Sequence, residues 1–155
     1  MGKLKIVIWF ICLLITVGTF YIMIVGTASP DKANGNGNPA LFVLFTAYPA
    51  MISFYYLTIN IGVRLILKTK NKRLAWILCS TSLIVCVALY FPIRSNAEAV
   101  KLGLEKSINK DYSKGWNQFT NTIYFNTYTF LLALFLCIVI ATVISNIKIT
   151  KEMRN

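Results

Sequence analysis

The sequence predicts an all-α integral membrane protein, with four transmembrane helices in an antiparallel bundle and a short amphipathic outer-surface helix between the third and fourth. Three observations predict it. Charged residues make up 14% of the chain and hydrophobic residues 57%, whereas soluble domains carry about 25% charge. Four stretches free of charge are each long enough to cross the hydrocarbon as a helix, which takes about 20 residues for about 30 Å. The 16 basic residues, which set the net charge at +11, gather between these stretches. That is the pattern of membrane topology, not of a nucleic-acid-binding surface. The whole chain, 1–155, is expected to form a single membrane domain.

The first span is expected at about 6–26. It follows Lys3 and Lys5, and Gly26-Thr27-Ala28 resembles the cleavage site of a signal peptide. The apolar run exceeds the roughly 7–15 residues of a signal core, so an uncleaved helix is the expectation. The loop that follows contains Asn34-Gly35-Asn36-Gly37-Asn38-Pro39, residues that suit tight turns. Its acids and amides lack the spacing and terminal glutamate of a calcium loop. The second span is expected at about 40–67, kinked at Pro49 because proline has no N–H to donate. A dense basic link with Lys68, Lys70, Lys72 and Arg73 leads to the third span, about 74–93. The link is short, so helices two and three are expected to be antiparallel neighbours.

Beyond the third span, Ser95-Asn96-Ala97-Glu98 fits a capping box. Ala97, Val100, Leu104 and Ile108 then recur at helical spacing, predicting the amphipathic helix at about 97–108. Its apolar stripe is expected on the outer membrane surface or the bundle top. Tyr112, Trp116 and Phe119 follow at a depth suited to an interfacial aromatic belt. The fourth span is expected at about 122–147.

Orientation follows from the basic residues. The two ends and the 2–3 link carry ten of them against one acid, Glu152; the opposite loops carry six against four acids. The positive-inside rule then puts both termini on the cytoplasmic side of a cell membrane. The abundance of Lys, Asn and Ile points to a bacterial host.

Each span also carries small or polar residues at helical spacing: Cys12, Thr16, Thr19 and Gly26; Thr46, Pro49, Ser53, Tyr56, Asn60 and Arg64; Ala75, Cys79, Ser82 and Cys86; and Thr122, Asn126, Thr129, Ala133, Cys137, Ala141 and Ser145. One stripe per helix predicts a shared interior, because small residues let backbones approach and polar ones bond across helices. On helix two, Tyr56, Asn60 and Arg64 fall on one face. They are the candidate contacts for a ligand or partner, including an anion or lipid phosphate, with Trp116 as a candidate outer contact. Arg64 also suits a cytoplasmic anchor.

Catalytic chemistry finds little footing. There is no histidine, the commonest general base and metal ligand, and no acid lies within a span. The four cysteines sit inside apolar runs and read as small core residues. No enzyme activity, cofactor or metal is expected, and ion-coupled transport is not expected without intramembrane acids. The expected partners are the lipid bilayer and a membrane-protein partner or a second copy, with nucleic acid excluded. Two function classes remain. One is an accessory, regulatory or immunity-like factor that binds another membrane component. The other is a small oligomeric permeation or lipid-handling protein that uses the helix-two stripe.

Overall fold

The computed structural model describes residues 2–29, 38, 40–106 and 114–152. The elements are α1 (Lys3–Val25), α2 (Ala40–Thr69), α3 (Lys72–Glu105), α4 (Asn121–Tyr124) and α5 (Thr127–Glu152). No strand occurs among the described residues. Helices α1, α2 and α3, and α4 with α5 taken together, are long and apolar enough to cross a membrane. Their large apolar side chains stay mostly outside; Phe45, Ile84 and Ile147 are examples.

Contacts along the helices give their directions. Trp9 near the start of α1 bonds Thr58 late in α2, and Gly26 lies beside Ala40, so α1 and α2 run oppositely. Cys137, Ala141 and Ser145 of α5 meet Tyr55, Gly62 and Val63 of α2 in ascending order, so these two run the same way. Asn96 of α3 bonds Thr122 at the start of the fourth span, while Lys72 lies beside Thr150, so α3 opposes α5. Helix α5 therefore packs against both α2 and α3.

This order corrects one expectation. Helices two and three are joined by a tight hairpin but do not pack along each other. The hairpin leaves only Lys70 and Asn71 outside helix. Lys70 takes φ 51°, the left-handed conformation that ends helices, and the Asn71 side chain accepts from Leu74 N at 3.0 Å to cap α3. Helix α5 instead packs against both of them, through two different faces. Cys137, Ala141 and Ser145 meet α2, and Asn146 one residue on lines a cleft with α3.

The separate amphipathic helix is a second correction. Helix α3 runs without a break through Pro92 to Glu105, so 97–105 continues the third span. The Ser-x-x-Glu signal is not used as a cap. Glu98 instead accepts from Arg94 Nε at 2.7 Å, an i,i+4 pair within the helix. The stripe does turn inward: Leu104 is buried, and Ala97 and Val100 are half-buried. Ile108 and Tyr112 lie outside the described residues. The fourth span is interrupted where a continuous one was expected. α4 ends at Tyr124, and α5 restarts behind Asn126, whose side chain accepts from Thr129 N while the Thr129 hydroxyl accepts from Asn126 N, both at 3.0 Å.

The core is an aromatic and small-residue seam between α1, α2 and α5. Phe54 is 1% exposed. It lies 5.8 Å from the Trp9 ring and stacks on Phe130 at 6.3 Å. Phe20 meets Phe125 and Phe130 edge-on, each at 5.3 Å, a favoured aromatic geometry. Thr16, Thr19 and Met23 of α1 and Thr142 and Ser145 of α5 are also buried. Thr16 donates to Cys12 O, and Ser145 to Ala141 O, each at 2.7 Å. Each hydroxyl thus satisfies itself on its own helix.

Candidate functional site

The stripes on helices one, three and four face inward as expected. Cys12, Thr16 and Thr19 are buried, as are Ala75, Cys79 and Ser82, and Cys137, Ala141 and Ser145. Helix two is the exception. Its buried face is Ala40, Ala47, Met51, Phe54, Val63 and Ile66. Thr46, Pro49, Tyr56 and Arg64 are exposed, and Ser53 and Asn60 are half-buried. Helix two's stripe therefore looks outward and not into the shared interior expected of it. Aromatic and bulky packing explains the inversion: Phe54 reaches three rings of the seam, contacts that Tyr56 on the opposite side does not make.

The outward stripe still brings the three candidate residues together. Tyr56, Asn60 and Arg64 line a small groove of about 110 Å³ with Leu57, Ile61 and Lys5 of α1. Asn60 Nδ2 donates to Tyr56 O at 2.8 Å, tying the amide to its own helix. Two cations and, among the described residues, no carboxylate line this groove.

Trp116 lies at the other end of the molecule, in a polar clasp. Its Nε1 donates to Asn121 Oδ1 at 2.9 Å, and its ring meets Tyr124 and Phe125. Asn121 is fully buried. It also exchanges hydrogen bonds with Asn38, at 2.9 Å through Asn38 Nδ2 and 3.3 Å through its own Nδ2. Ala28 N donates to Gln118 O at 2.9 Å, joining the end of α1 to the same loop. Gly115 allows the sharp turn there, with φ 66°. Asn121 and Gln118 thus tie three segments together, with Trp116 bonded to Asn121. Phe119, placed by the sequence in an interfacial belt, is buried instead.

A further cleft lies outside the candidate site residues, although Lys72 belongs to the basic link. It lies between the first turns of α3 and the last turns of α5, has a volume of about 430 Å³, and is lined by Lys72, Trp76, Val143, Asn146, Ile147, Thr150 and Lys151. Asn146 is only 6% exposed, and neither its Nδ2 nor its Oδ1 has a hydrogen-bond partner among the described residues. A signal was available: an amide inside an apolar run, four residues before Thr150, with Lys72 and Trp76 one turn apart on the facing helix. It was masked because Asn146 lies one residue off the small-residue stripe that ends at Ser145.

Elsewhere the chemistry is sparse. All four cysteines are free. Among the described residues no three His, Cys, Asp or Glu side chains stand close enough to share a metal ion. Comparison with protein-family models, curated proteins and solved structures finds no match.

Proposed function

We propose that this chain is a non-enzymatic protein that crosses a cell membrane four times, with both termini on the cytoplasmic side, and acts as an accessory or protective factor by binding another membrane protein through the outward stripe of α2. The observation that carries the reading is the position of that stripe. Polar side chains are costly against lipid and normally turn toward protein. Tyr56, 63% exposed, with Thr46, Ser53 and Asn60 beside it on the outer face of α2, instead asks for a partner. Interfaces between membrane helices use such small and polar groups.

The orientation rests on the basic residues. Lys5 and Arg64 share one groove, Lys72 and Lys151 another, and the Lys70–Asn71 hairpin joins the two sides, so these charges gather at one end. That is the cytoplasmic end by the positive-inside rule. Helix α3, at 34 residues, is roughly 50 Å long. Its last turns therefore stand beyond the hydrocarbon on the opposite side, beside the Trp116 clasp.

The test is a photo-crosslinking residue at Tyr56, compared with one at Ile84 on the apolar face of α3, in native membranes. A single heterologous adduct from position 56, absent from position 84 and lost with Asn60→Leu, is expected. Adducts of equal intensity from both faces, or none from either, refute the reading. A second reading draws on the same stripe: copies assembled around it would enclose a polar path for permeation or lipid handling. Crosslinks from position 56 to the chain itself, with a conductance abolished by Asn60→Leu, would favour it.

A further inference from the structure

The cleft between α3 and α5 has what a ligand site needs and the groove beside α2 lacks. At about 430 Å³ it lies within the roughly 300–1,000 Å³ of small-molecule pockets; the Tyr56–Arg64 groove, at about 110 Å³, does not. Its amide is also uncommitted. Asn60 spends its Nδ2 on Tyr56 O, whereas Asn146 is buried with both polar atoms unpaired among the described residues. Buried polar groups in folded proteins are almost always hydrogen-bonded, and an exception calls for a partner.

The lining names the partner's chemistry. Lys72 and Lys151 supply two ammonium groups, Thr150 a hydroxyl, and no carboxylate among the described residues lines the cleft. Asn146 offers an N–H donor for an anionic oxygen and an acceptor for a hydroxyl. Trp76, Val143 and Ile147 form an apolar wall and are largely exposed. Cations at one end of an apolar wall suit an amphiphile with an anionic head.

We propose that this cleft binds the phosphate headgroup of an anionic phospholipid, with Lys72 and Lys151 on the phosphate, Asn146 bonded to the headgroup, and an acyl chain along Trp76 and Ile147. The site rests on the reading of the chain as membrane-spanning with this end at the cytoplasmic interface. There, basic pockets between helices meet anionic headgroups.

The experiment measures thermal unfolding of the full chain in neutral detergent with added phosphatidylglycerol, phosphatidylcholine or inorganic phosphate. Phosphatidylglycerol is expected to raise the unfolding temperature while the other two leave it unchanged. Lys72→Gln with Lys151→Gln should weaken the response about tenfold or more. Lys70→Gln with Lys148→Gln, which removes the same charge from the same end but outside the cleft, should leave it within about twofold, the size of a screened surface effect. Asn146→Leu should raise the unfolding temperature of the lipid-free protein, because it removes an unpaired buried amide, and abolish the lipid response.

An equal shift with phosphatidylcholine, an equal loss in both lysine pairs, or a full response in Asn146→Leu overturns the proposal. An equal shift with inorganic phosphate overturns the lipid and assigns the cleft to a free anion. A chain that stays monodisperse without detergent refutes the membrane reading itself, which distinguishes that failure from a detergent-dependent chain with no headgroup preference.

Discussion

At Gly62 α2 and α5 approach closely, and a single methyl group there tests the packing. A Cβ at Gly62 would lie 2.9 Å from the Ala141 Cβ, about 0.5 Å inside the 3.4 Å at which ordinary van der Waals contact begins. Neither atom can rotate away, since each is fixed to its backbone, so the helices themselves must separate. Gly62→Ala is therefore expected to cost about 1–3 kcal/mol in strain, offset by up to about 1 kcal/mol of helix propensity. Gly18→Ala isolates the second quantity, because nothing lies within 4 Å of its added Cβ; that variant should be neutral or stabilising. Ala141→Gly should rescue Gly62→Ala, with a coupling of about 0.5–3 kcal/mol in a double-mutant cycle. The assay is reversible unfolding in mixed micelles. If Gly62→Ala matches Gly18→Ala and the cycle shows no coupling, the α2–α5 packing described above is wrong.

Three further outcomes are expected. Asn121→Leu removes the acceptor of Trp116 Nε1 and both bonds to Asn38. It should destabilise the chain by about 1–3 kcal/mol and shift the Trp116 emission; unchanged unfolding would remove the clasp from the account. Lys70 holds φ 51°, so Lys70→Gly should stabilise by about 1 kcal/mol. A measured loss from that variant would mean the hairpin is built otherwise. An impermeant thiol reagent applied to intact cells should label Lys114→Cys and spare Thr69→Cys, and the reverse pattern would invert the proposed orientation.

Much of the fold was legible because charge-free length is a direct physical requirement. The expected 6–26, 40–67 and 74–93 fall inside helices Lys3–Val25 (but for its last residue), Ala40–Thr69 and Lys72–Glu105. The ends differ because a helix continues wherever its backbone stays bonded, whether or not the side chains remain apolar. The same reason defeated the capping box at Ser95. Motifs of this kind mark a helix start only if the chain is not already helical, and Asn96 inside α3 donates to Thr122 O instead. The neighbour relation of helices two and three was inferred from loop length. A short hairpin fixes only where two helices meet, and both then pack against α5.

Helix two shows where periodicity stops being informative. Thr46, Ser53, Tyr56 and Asn60 recur at helical spacing, and so do Ala40, Ala47, Met51 and Phe54 on the other side. In water the choice would be simple, because the polar stripe would face the solvent. In lipid the polar stripe would be expected to turn toward protein, yet the face that packs more closely is the one buried here. Phe54 enters an aromatic seam and Gly62 lets α5 approach, so the face with the better shape went inside. The polar face was left out with one hydroxyl bonded to its own helix at Thr46 and one amide at Asn60. Such self-bonding lowers the cost of exposure without removing it. On the proposed reading, a stripe kept outward at that residual cost is where a partner binds.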